Sequence, residues 1–141
     1  MTNKEYMSRA FLISKRLKAR RQRLAYLKSL VGTTNQVLSG MPKGSPSSTS
    51  YLEDQTVRIL DLERAIDQDE KDLAAARHEI AAAISGLNNE NLISILQMRY
   101  LDYLCWEDIM ASMDYCRSYL YELHGRALRQ IRQKAFSSKQ Q

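Results

Sequence analysis

Apolar residues recur over the first part of the chain at alternating steps of four and three: Tyr6, Ala10, Ile13, Leu17, Leu24, Leu27 and Val31, with Arg20 at the one charged station. This is the seam of a heptad helix, predicted from about Lys4 to Val31 or as far as Leu38. A second seam runs Leu52, Gln55, Ile59, Leu62, Ile66, Asp69, Leu73, Ala76, Ile80, Ala83 and Leu87, interrupted at Gln55 and Asp69, and predicts a helix from about Tyr51 to Ser85. Between them Gly40, Pro42, Gly44 and Pro46 stand among serines, a composition that breaks helices and reads as a flexible loop over about residues 39–50. Folding the chain back about Ser45 aligns the two seams. Val31 meets Ile59, Leu27 meets Leu62, Leu24 meets Ile66, Leu17 meets Leu73 and Ala10 meets Ile80. In that register Arg20 falls opposite Asp69. A half-buried ion pair there adds little net stability, but it penalises slipped registers in which one charge would face leucine. The alternative is that both side chains snorkel out of a loosely packed seam.

The period changes after Gly86-Leu87-Asn88-Asn89, where Asn88 or Asn89 can cap a new helix. Three short helices are predicted. The first covers about Asn91–Tyr103, with Leu92, Ile95, Leu96 and Met98 or Arg99 on its core face. The second covers about Trp106–Met113 with Ile109 and Met113 inward, and the third about Arg117–Gln133 with Leu120, Leu123, Ala127, Leu128 and Ile131 as its buried stripe. The joint Asp114-Tyr115-Cys116 suits two helices that cross steeply, which is helix-turn-helix geometry. The expected fold is therefore all-α: an antiparallel coiled-coil hairpin over residues 1–87, a three-helix helix-turn-helix module over 88–136, and a disordered tail over 137–141. Phe11, Leu12 and Ile84 lie off the seams and are candidates for contact between hairpin and module.

Charge changes this picture less than its distribution does. The net charge is +5, which favours an anionic partner without identifying one. Lys4, Arg9, Lys15, Arg16, Lys18, Arg20, Arg21, Arg23 and Lys28 lie before the loop with Glu5 as the sole acid, whereas acids predominate from Tyr51 to Ser85. A basic helix facing an acidic one fits a hairpin, so the basic face of the first helix reads as a solvated flank with a second DNA contact as the alternative. Most of the excess positive charge thus lies outside the helix-turn-helix.

No apolar run approaches the roughly 20 residues that span a bilayer, and Met1–Arg9 lacks the pattern of a signal peptide, so no membrane partner is expected. Two cysteines, Cys105 and Cys116, give no disulfide framework, and a reducing cytoplasm is the expected location. With His78 and His124 they form no zinc-ligand spacing. Neither a nucleophile–base pair nor a phosphate loop is visible. The chain is not expected to be an enzyme or to hold a metal or cofactor. Trp106 reads as a packing anchor, and Met98, Met110 and Met113 as core filler.

A helix-turn-helix works because its second helix enters the major groove and offers its first side chains to base edges. Off the buried stripe near that start stand Arg117, Ser118, Tyr121 and Glu122. Arginine can pair with guanine through two donors, and glutamate can accept from a cytosine amine. Serine can do either, and Tyr121 can reach a phosphate or stack on sugar. Further along, Arg126, Arg129 and Arg132 can neutralise phosphates without reading sequence. Arg99 has the alternative role of anchoring a core acid.

From Arg99 to Leu128 the sequence resembles region four of bacterial sigma factors, through Arg99-Tyr100, the helix start Trp106-Glu107-Asp108-Ile109, and the ending Leu123-His124-Gly125-Arg126-Ala127-Leu128. The preceding hairpin, with its Met41-Pro42…Gly44-Ser45-Pro46 loop, resembles phage and prophage proteins of the ArpU- and RinA-type late-gene regulators. The resemblance implies a promoter-reading helix-turn-helix, with the positions of Arg117, Ser118 and Glu122 facing bases, and a bacterial host cytoplasm. Two departures stand out. Cys105 and Cys116 occupy N-cap positions often held by serine or threonine, and Asp114 a turn position often held by glycine. The expectation is a phage-encoded transcriptional regulator that binds double-stranded DNA, with RNA polymerase as a compatible second partner. Its hairpin would serve homo-oligomerisation or partner binding. A DNA-packaging subunit of the small-terminase kind and a protein-only adaptor remain as alternatives.

Overall fold

The computed structural model describes residues 1–39 and 46–132, with side chains left out for 33–39 and 46–49. The described chain is helical and carries no strand: α1 (Asn3–Ser39), α2 (Pro46–Ser85), α3 (Glu90–Leu96), α4 (Trp106–Met113) and α5 (Arg117–Gln130), with a π turn at Gln97–Leu101 after α3. The first two helices pack as a hairpin, and the shorter helices follow. Partners fall along α2 as they rise along α1: Arg9 with Glu79 at 2.7 Å, Arg21 with Glu70 at 2.7 Å, Lys28 with Glu63 at 3.2 Å. The arms are antiparallel, and these pairs flank the register that the seams predict.

Both long helices extend into the loop expected over 39–50. Ser39 still belongs to α1, and Pro46–Ser50 already belong to α2. Proline is at home in a first helical turn, where its missing N–H is one that the helix leaves unpaired anyway. Residues 40–45, and the tail expected over 137–141, lie outside the described residues.

The chain forms two compact units: Met1–Ile13 with Leu73–Gln141, and Ser14–Asp72. They part within the two long helices, whereas the change of period placed a boundary at residue 87. The first, five-helix unit has a closed core. Tyr6, Met7 and Ala10 of α1 and Ala76, Ile80 and Ile84 of α2 are buried together with Leu92, Ile95, Leu96, Tyr100, Ile109, Leu120, Leu123, Ala127 and Ile131. Three short helices enclose too little apolar surface to close a core by themselves, and each large side chain fully buried here contributes about 1.5–3 kcal/mol. The second, two-helix unit buries a single stripe: Leu17, Leu27 and Ile66, with Gln55 and Asp69 among them.

Polar contacts complete the five-helix unit. Asn89 caps α3, its Oδ1 accepting from the amides of Asn91 at 2.9 Å and Leu92 at 3.4 Å. Asn3 donates through Nδ2 to the carbonyls of Leu128 at 2.6 Å and Ile131 at 3.1 Å, at the end of α5 where Leu128 also accepts from the Ile131 amide at 3.3 Å. There α5 stops at Gln130 and Ile131 is extended, so the helix expected to reach Gln133 ends earlier; Gln133 itself lies outside the described residues.

The helix expected over Asn91–Tyr103 is α3 followed by the π turn. The Asp102 amide reaches back to the Gln97 carbonyl at 2.9 Å, and Tyr103 adopts φ 59°. A bulky residue in the left-handed region is strained and persists where its surroundings hold it. Arg77 does so from α2, donating to the Tyr103 hydroxyl at 2.8 Å and to the Leu101 carbonyl at 2.9 Å, while the Phe11 ring lies 5.6 Å from that of Tyr103. Of the three residues named for contact off the seams, Ile84 is fully buried and Phe11 makes this ring contact, but Leu12 is 60% exposed.

Candidate nucleic-acid interface

The candidate face is built on the reversal between α4 and α5. Asp114 takes φ 57° and ψ 33°, and its amide closes on the Met110 carbonyl at 2.9 Å. Aspartate enters this left-handed conformation more readily than most residues, so α4 can end and α5 begin within three residues. Helix, three-residue turn and helix follow one another here, an order consistent with a helix-turn-helix.

Burial sorts α5 into two faces. Leu120, Leu123 and Ala127 are buried, whereas Arg117, Ser118, Tyr119, Tyr121, Glu122, Arg126 and Arg129 are exposed. All six α5 residues singled out from the sequence therefore lie on the open face. Tyr119 joins them, edge-to-face with Tyr115 at 4.9 Å. Its position beside Ser118 and off the 120/123/127 stripe is the signal in the sequence that places it there.

The arginines on this face are paired. Arg117 Nη2 donates to Glu107 Oε1 of α4 at 3.1 Å, and Arg126 Nη2 donates to Glu122 Oε1 one turn back at 3.2 Å. Arg129 has no carboxylate partner among the described residues. Its Nη1 lies 3.8 Å from where a Cβ on Gly125 would stand, so the side chain folds back along the helix. From Cys105 to Gln130 the acids Glu107, Asp108, Asp114 and Glu122 outnumber Arg117, Arg126 and Arg129.

The N-caps are thiols. Neither Cys105 nor Cys116 makes a side-chain capping hydrogen bond, and both are exposed and unbridged. Cys116 Sγ lies 3.5 Å from Ser118 Oγ. That hydroxyl, with the nearby amide of Tyr119, holds the Cys116 thiol below its ordinary pKa. The Glu107 carboxyl is also lowered, first by its own backbone amide at the start of α4, then by the Cys105 thiol and by Arg117.

Beneath the open face lies an aromatic cluster. Trp106 packs edge-on against Tyr121 at 5.0 Å and His124 at 4.8 Å, and the Arg99 guanidinium covers its ring at 4.7 Å. Trp106 is thus a packing anchor for α5. Arg99 also donates to the Leu104 carbonyl at 3.0 Å, so it fastens backbone and indole, where a core acid was the alternative partner. Tyr100 Oη and His124 Nε2 are hydrogen-bonded at 2.7 Å. Burial pushes His124 down to about 4, helped by the charges of Lys4 and Arg99, and pushes Tyr100 up to about 12. Both are neutral near pH 7.

Arg20 and Asp69 meet in the two-helix unit, Nη1 to Oδ2 at 2.7 Å, and Arg16 adds Nη2 to Oδ1 at 2.8 Å. The Asp69 side chain is 3% exposed. Burial raises its pKa, but the two guanidinium hydrogen bonds more than offset this and leave it below the usual value. Arg16 lies one position before Leu17 on the seam, so α1 carries it to the flank nearest Asp69; that offset was the available signal.

A hollow of about 830 Å³ is lined by Tyr6, Glu79, Leu87, Asn88, Arg129 and Arg132 among others. Arg117, Ser118, Tyr121 and Glu122 are not part of it. Among the described residues no group of three acids, histidines or cysteines is placed to hold a metal ion, and no helix is long and apolar enough to cross a membrane.

Among the described residues these elements define an all-helical protein in which a long hairpin is followed by three shorter helices. Residues 43–132 match the family described as "Protein of unknown function (DUF1492)", and the chain belongs to that family. The matched span runs through α2 to Arg132 and leaves α1 outside. No curated protein and no solved structure matches the chain.

Proposed function

We propose that the protein is a phage- or prophage-encoded transcriptional regulator, akin to the ArpU- and RinA-type regulators, that reads duplex DNA through α5. The observation that carries this reading is the pairing of a tight left-handed turn with an α5 whose first residues, Arg117, Ser118, Tyr121 and Glu122, stand open while the opposite face is buried. Such a helix can lie in a major groove and present donors and acceptors to base edges. Arg126 and Arg129 would hold phosphates. A single reading helix contacts few base pairs, so specific binding calls for a second copy through the hairpin, or for RNA polymerase at the promoter.

The test is a salt series of binding to the upstream phage DNA, with Arg117→Ala and Glu122→Ala beside the wild type. Affinity should fall steeply with salt, and each variant should lose sequence preference. Unchanged preference in both would remove α5 as the reader. A protein-only adaptor is the second reading, favoured by the excess of acids over arginines from Cys105 to Gln130. It predicts no binding to any duplex at low salt.

A further inference from the structure

We infer that Glu107 is a positioning residue for Arg117, setting the guanidinium for a base edge and turning it away from phosphate; this rests on the DNA-reading role proposed for α5. The two residues belong to different helices, and their contact spans the turn between them at 3.1 Å. Both are exposed, their side chains 54% and 68% accessible, so the pair is not needed to fill the core. An exposed pair of this kind contributes little to folding, which leaves its geometry as the significant property.

That geometry is one-sided. Among the described contacts Arg117 meets Glu107 through Nη2 alone and makes no other side-chain hydrogen bond. An arginine carries five donors, so the outer edge of the guanidinium keeps two parallel N–H groups, the arrangement that pairs with guanine O6 and N7. With one end tethered, the long side chain loses fewer rotamers when the base pairs are made. The Glu107 carboxylate also places a negative charge beside Arg117. A phosphate approaching the same guanidinium meets repulsion, whereas an uncharged base edge does not. The ligand chemistry is therefore a base edge rich in acceptors, guanine above all, in the major groove.

Glu107 acts through Arg117, so the test must separate it from a merely structural role. The probe is a short duplex enriched by the wild-type protein from a randomised pool, compared with a scrambled duplex of the same composition. For Glu107→Gln, the expected result is stronger binding to the scrambled duplex, a salt slope steeper by about one phosphate contact, and about three- to tenfold less discrimination. In an Arg117→Ala background the same Glu107→Gln change should have no such effect, because the group it positions is gone. Discrimination and salt slope unchanged in Glu107→Gln, with the wild type still binding its selected duplex, overturn this inference alone. An equal effect in both backgrounds also overturns it. No enrichment and no duplex binding by the wild type overturn the DNA-reading role itself, and this inference with it.

Discussion

The two compact units are built from the same two long helices, yet they are held together differently. In the five-helix unit Met7, Ala10, Ile80, Ile84, Ile95, Leu96, Ile109 and Leu120 have no exposed surface. In the two-helix unit the best-buried apolar residue, Leu17, keeps 3%, and the best-buried residue of all is Asp69, at 2%. Two helices can cover only one stripe of each other, so every seam residue has water along its flanks. Three further helices across α1 and α2 close that edge. Specificity of pairing in the two-helix unit then depends on ion pairs at fixed stations, and in the five-helix unit on the shape of a packed interior.

The largest expected effect tests this contrast directly. Ile95→Ala should destabilise the five-helix unit by about 3–4 kcal/mol, because the rigid surround cannot collapse onto the cavity. Leu27→Ala in the two-helix unit should cost about 2 kcal/mol or less, since its flanks are already wet. Denaturant unfolding followed by Trp106 fluorescence and by helical circular dichroism measures both. Equal losses would break the comparison.

The second test is pH, and it concerns the five-helix unit. His124 is pushed down to about 4 from an ordinary 6.5, so between those values the unfolded chain binds the proton and the folded chain does not. Its contribution is complete above about pH 6.5 and is lost as the pH falls through 4. After allowance for its half-buried position, the loss should be about 2 kcal/mol, read as a falling denaturation midpoint. His124→Gln should flatten that dependence. A wild-type profile level from pH 6.5 to 4 would remove His124 as its source.

The smallest expected effect belongs to the two-helix unit. Asp69→Asn should cost about 1.5 kcal/mol, since two guanidinium hydrogen bonds lose their charged acceptor. Asp69→Leu made together with Arg20→Leu should be near neutral in stability but should loosen the register. Spin labels across the arms would show a second distance if the arms slip. One sharp distance in the double variant would mean that the apolar seam alone fixes the register.

Local periodicity was readable wherever a single helix face determined it. The heptads of α1 and α2 announced the hairpin, and the short joint at Asp114 announced the reversal that presents Arg117, Ser118, Tyr121 and Glu122. What was not readable depends on groups distant in sequence. Nothing around Asn3 signals that it closes the end of α5, and nothing around Arg77 signals that it holds Tyr103. Tyr100 looked like one more helical position until the π turn brought it to His124. The boundary at residue 87 followed a change of period, but the core follows volume, which required the ends of the hairpin.

The sequence by itself determined the helices, their antiparallel pairing and the open side of α5, because the spacing of apolar residues is a property of one segment. Only the tertiary structure decided that Glu107 meets Arg117, that Arg16 joins Arg20 on Asp69, and that α1 and α2 complete the core beneath α4 and α5. Those outcomes depend on where separate helices bring their side chains, and a period of 3.6 residues carries no record of that.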